Sequence, residues 1–129
     1  MLNIITDKLY FEVVICYTTI KEECRMNDNA SIVMSQIMFE LTNWLNNTSQ
    51  PYFEIREKDY FRWLENSRRL STFSDPDVKK FKQAFDKLIY MMRQKKTLFF
   101  GTLYTTSTEN VRKVFEELHY IEMRYFEEV

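Results

Sequence analysis

The chain has 129 residues and a formal net charge of −1, with 45% apolar, 16% aromatic and 29% charged residues. It holds one glycine, two prolines, one histidine and two cysteines. This inventory excludes phosphate-cradling glycine loops, dinucleotide turns and nucleophile elbows, which need glycine where φ is positive or where a ligand touches the backbone. The aromatic content supplies a bulky core for one domain spanning 1–129, and scarce glycine and proline favour helices over a turn-rich β-sandwich.

The start of the chain lacks the basic-then-apolar layout of a secretory signal, and no uncharged run approaches the roughly 18 apolar residues of a membrane span. Cys16 and Cys24 form no CxxC pair, which points to a reducing compartment. The expectation is therefore a cytoplasmic protein, of a cell or of an infected host, without a membrane partner.

Residues 8–25 carry an apolar stripe of Leu9, Val13, Cys16, Tyr17, Ile20 and Cys24 at helical steps. The β-branched run Val13, Val14, Ile15 pulls toward a strand instead. After a break at 27–29, the spacing of Ala30, Met34, Ile37, Leu41 and Trp44 predicts a helix over 30–46. Turn chemistry at 46–51 ends it. Residues 52–55 alternate as a short extended piece, and a helix follows over 57–70.

Ser74, Pro76 and Asp77 predict a capped helix start. Val78, Phe81, Phe85, Leu88 and Met92 then lie in helical register. That helix either runs to residue 100, with Gly101 as its left-handed stop, or ends near residue 96 with a hairpin over 98–104. Thr106 and Glu109 form a second capping-box pattern. It opens a last helix whose seam is Val111, Val114, Leu118, Ile121 and Tyr125. The fold class expected is mainly α, with four or five helices and room for one short β-hairpin.

Charge is unevenly spread. Residues 75–96 hold seven bases against three acids, while residues 107–129 hold six acids against three bases. The plain interpretation is two solvated faces that attract one another. Glu116 and His119 stand three apart on the last helix, half of a carboxylate–histidine metal pattern, but one histidine cannot complete such a site within a monomer. No catalytic residue, metal ligand or cofactor site is expected, and the chain is not expected to be an enzyme.

Two binding functions fit what remains. The first is a non-catalytic protein-binding module, a regulator, adaptor, inhibitor or antidote that occludes a partner surface. Its candidate contacts are Tyr60, Phe61, Arg62, Trp63, Arg68 and Arg69, because Trp, Tyr and Arg most often carry interface energy. A homodimer through the last helix fits the same reading. The second is a winged-helix-like DNA binder, because the expected order is helix, short strand, helix, basic helix, hairpin. There Lys79, Lys80, Lys82 and Lys87 of the 75–96 helix would reach phosphates. The near-neutral total charge and the long link between the two central helices favour the first function.

Overall fold

The computed structural model describes residues 29–99 and 101–127. The apolar stripe at 8–25, with Cys16 and Cys24, lies outside the described residues.

Helix α1 spans Asn29–Asn46, close to the range its periodicity predicts. Ala30, Val33, Met34, Ile37, Met38 and Leu41 form its buried face. Asn47 closes it: its Nδ2 donates to the Asn43 carbonyl at 2.7 Å, satisfying a last-turn acceptor. Strand β1, Tyr52–Arg56, turns Phe53 and Ile55 inward and leaves Tyr52 and Arg56 outside. Helix α2 follows at once over Glu57–Leu70. Glu57 and Asp59 stand in its first turn and Arg68 and Arg69 in its last, the favourable order for the helix dipole. The Ser71 and Thr72 hydroxyls then donate to the carbonyls of Arg68 and Arg69.

Helix α3 covers Pro76–Met91, with Pro76 in the first turn as expected. The cap is Asp75 and not Ser74: Asp75 Oδ1 accepts from the Asp77 and Val78 amides at 2.8 and 3.3 Å. A carboxylate here adds a full charge at the positive helix end, which a serine hydroxyl cannot.

The helix ends well before residue 96 or 100. Strand β2, Gln94–Leu98, pairs antiparallel with β3, Gly101–Ser107. The hairpin is thus present and longer than 98–104, and β1 joins it on the far side, giving the order β1-β3-β2. Two causes stand out. The threonines of β3 are β-branched and favour strand, and Tyr104 gains a buried stack on Tyr60 of α2, with centroids 3.8 Å apart and rings 2° from parallel. Leu98 pairs with Gly101, whose φ of 136° is open to glycine in such a tight turn.

Helix α4, Thr108–Glu127, starts two residues after the expected cap. Ser107 Oγ accepts from the Asn110 amide at 3.1 Å, while Thr106 Oγ1 instead receives the Asn110 side chain at 3.0 Å. Thr106 is held in β3 by its pairing with Phe53, so its backbone cannot serve as the cap. The expected seam is buried in full: Val111, Val114, Leu118, Ile121 and Tyr125. Helices α3 and α1 of the same chain pack on this helix.

The protein is therefore mainly α, four helices with a small antiparallel sheet among the described residues. None of those helices is long and apolar enough to cross a membrane. At the centre Trp63 packs on Phe53 and Phe85, with ring centroids 5.8 and 5.4 Å away. Truncating Trp63 to Ala should cost about 3–5 kcal/mol in urea unfolding followed by circular dichroism; a loss under about 1 kcal/mol would contradict this placement.

Candidate nucleic-acid interface

The exposed side of α3 is set by its buried side. Val78, Phe81, Ala84, Phe85, Leu88 and Ile89 face the core. At 100° per residue, Lys79, Lys80, Gln83, Lys87 and Tyr90 share the opposite arc, and all five are exposed. Three ammonium groups, an amide and a phenol thus lie along one ridge of a 16-residue helix.

The four candidate lysines are not equivalent. Lys79 and Lys80 are exposed, and neither makes an ion pair with another of the described residues. Lys87 Nζ lies 2.9 Å from Glu117 of α4, both side chains being about half exposed. Lys82 lies on the flank toward α2, where its Nζ meets Asp86 Oδ2 at 2.5 Å while Ser67 donates to Asp86 Oδ1 at 2.5 Å. The Ser67–Asp86 bond joins α2 to α3, while the Lys82–Asp86 pair lies within α3 and occupies the Lys82 ammonium.

Basic groups counted with the helix in the sequence belong to the hairpin. Arg93 sits between α3 and β2, its guanidinium 4.1 Å above the Tyr90 ring. Lys95 and Lys96 are on β2, where alternation sends them to opposite faces. Lys95 Nζ stands 5.7 Å from the Tyr104 ring centroid, and Lys96 Nζ lies 3.3 Å from Glu54 of β1. The Tyr90–Arg93 stack joins the helix ridge to the hairpin. Beside it a concavity of about 610 Å³ opens, lined by Tyr52, Tyr90, Arg93, Gln94, Thr105 and Asn110 among others. On the other flank Lys80, Gln83 and Lys87 face Glu117, Tyr120 and Arg124 across a groove of about 490 Å³.

The six candidates on α2 divide. Trp63 is buried, and its indole Nε1 donates to Glu40 of α1 at 3.2 Å. Tyr60 is half-buried under the Tyr104 stack, and burial followed by the neighbouring Tyr104 pushes its hydroxyl pKa upward. Arg62 takes Glu40 in a two-pronged contact at 2.8 and 2.6 Å and also reaches Asp59 at 2.8 Å, which raises its pKa further. Arg68 pairs with Glu65. Only Phe61, Arg62, Arg68 and Arg69 remain accessible at the surface.

Among the described residues no group of three or more His, Cys, Asp or Glu could hold a metal ion. His119 is exposed and stacks on Phe115, rings 1° from parallel with centroids 6.1 Å apart. Gln83 and Tyr90 were missed as ridge members although the helical period alone marks them. Nothing in the sequence distinguishes the Glu117 contact with Lys87 from any other acidic residue of the last helix.

No family model matches the chain, and neither a curated protein nor a solved structure matches it.

One titrating group lies away from this ridge. Glu122 of α4 meets Ser35 of α1 at 3.4 Å, and burial pushes its carboxyl up to about 7, against a smaller downward pull from the Ser35 hydroxyl. The side chain keeps partial solvent contact, so screening limits the size of the effect and not its sign. From pH about 4.5 to about 7 the unfolded chain releases this proton while the folded chain keeps it, so stability falls as pH rises. Glu122→Gln should flatten that decline in melting temperature; an unchanged profile would show that Glu122 does not titrate late.

Proposed function

We propose that this protein binds double-stranded DNA as a winged helix-turn-helix module, with α3 in the major groove and the β2–β3 hairpin as the wing. The observation that carries the reading is the exposed Lys79, Lys80, Gln83, Lys87 and Tyr90 ridge beside a formed hairpin that carries Lys95 and Lys96. The element order α1, β1, α2, α3, β2, β3 and the sheet order β1-β3-β2 support it by architectural analogy.

In this reading Lys79, Lys80 and Lys87 contact phosphates on either side of the groove. Arg93, Lys95 and Lys96 supply charge from the wing. Gln83 lies mid-ridge, and an amide there can pair with the N6 and N7 edge of adenine. Lys82 takes no part, because it lies on the flank toward α2 and its ammonium is taken by Asp86. Net charge near zero argues less against DNA once the acids are located: Glu117 of α4 reaches the ridge at Lys87, while Lys79, Lys80, Gln83 and Tyr90 stay exposed. Glu117 weakens binding to any phosphate backbone, so modest affinity at moderate salt is expected.

A second reading, a module that occludes a protein partner, is favoured by one observation. Phe61 and Leu64 of α2 are both exposed and stand three apart on one helix face.

Fluorescence anisotropy of labelled duplex at low and moderate salt separates the two. Duplex binding with affinity falling steeply as salt rises is the expected result. Lys79→Glu with Lys80→Glu should weaken it at least about tenfold and lower the salt slope by about two. That pair is preferred to one containing Lys82, which is off the ridge and already paired with Asp86. Glu117→Gln should free Lys87 and strengthen duplex binding by about two- to fivefold, the range of an exposed ion pair. No duplex binding at low salt would remove DNA and leave the α2 face as the surface to test.

A further inference from the structure

The least expected residue on the surface is Phe99. It is fully exposed at 105% of its reference area. Its place explains why: Leu98 pairs with Gly101, so Phe99 stands at the apex of the hairpin, beyond the last rung of the ladder. An apical aromatic there buries nothing and adds nothing to folding. The strand behind it carries exposed Lys95 and Lys96, one on each face of the ribbon. Large exposed apolar groups bracketed by cations suit an occupant that is anionic outside and aromatic within.

We infer that Phe99 is a wedge that inserts between stacked bases of duplex DNA from the minor-groove side. The inference rests on the DNA-binding reading and deepens it. The minor groove is about 6 Å wide, so a two-stranded ribbon can present only its apex there. Insertion of a phenylalanine between base pairs partly unstacks one step and kinks the duplex toward the major groove. That kink would bend the duplex toward α3, letting the ridge and the wing engage one site. Lys95 and Lys96 would meet the phosphates on the two sides of the step. Flexible pyrimidine–purine steps unstack most readily, so binding should prefer a TA or CA step at the wing position. No covalent chemistry is involved.

The test uses the full chain and duplexes carrying 2-aminopurine at successive positions, because this base brightens when it loses its stacking neighbour. Wild-type protein should raise the emission at one step and leave the others unchanged. Phe99→Ala should abolish that rise and weaken duplex binding about tenfold, within the range of base–aromatic stacking. Phe99→Trp should retain both. Because Phe99 packs on nothing, Phe99→Ala should keep the wild-type melting temperature, which separates a lost wedge from a lost fold. Duplex binding that depends on Lys79 and Lys80 but shows no brightening at any step, or is indifferent to Phe99→Ala, overturns the wedge and leaves the DNA reading standing. Absence of wild-type binding to any duplex overturns both.

Discussion

The fold depends on how Trp63 is held. Its ring closes the space between β1 and α3, and its indole nitrogen reaches Glu40 on α1. Glu40 in turn takes both prongs of Arg62, one residue before Trp63. An apolar contact and a charged one thus pin the same stretch of α2 against three other elements. A buried indole N–H without a partner is costly, and a carboxylate shared with a guanidinium supplies that partner while keeping its own charge balanced. The aromatics line up accordingly: Trp44, Phe53, Trp63 and Phe85 form a continuous series of ring contacts from α1 through the sheet and α2 to α3.

Once α2 is fixed, α3 follows through a second clamp. Ser67, Asp86 and Lys82 close the α2–α3 side with short polar contacts. The opposite flank of α3 packs on α4, where Glu117 meets Lys87. With both flanks engaged, the outward arc is what remains, and it carries lysines, an amide and a phenol. The basic character of the helix is therefore divided between holding the fold and facing outward, a division that a charge count over 75–96 conceals.

Much of this architecture was legible in the residues, and the exceptions share a cause. The helix over 30–46 and the buried seam of the last helix follow from spacing alone, because each has one wide apolar face; the helix over 57–70 follows the expected range, but it buries Trp63, Asn66, Ser67 and Leu70 while Leu64 stays exposed. The end of the basic helix was ambiguous because Gln94, Lys95 and Lys96 are acceptable in either state. Tertiary contact decided it, through the Tyr60–Tyr104 stack between residues 44 positions apart. The two capping assignments missed by one residue, since Ser74 and Asp75, like Thr106 and Ser107, are neighbouring cap formers and the backbone path chooses between them. The α2 candidates were misleading for a different reason: Trp, Tyr and Arg serve cores and interfaces equally, and Glu40, which draws Arg62 and Trp63 together, lies more than twenty residues upstream.

The sheet has a consequence for how the chain is made. Its central strand, β3, is the last to be synthesised, while its partner β1 is complete about fifty residues earlier. Thr108 also closes onto Gln50 and Pro51, where the β1 segment begins. At ~5–20 residues per second, β1 waits several seconds for a partner. During that interval Phe53 and Ile55 have no strand beside them and the edge is open to other nascent chains. Charged Glu54 and Arg56 alternate with those apolar residues and act as gatekeepers against that encounter. The β2–β3 hairpin, closed locally, forms at once when it emerges, and the sheet is then completed by capture of a strand already present.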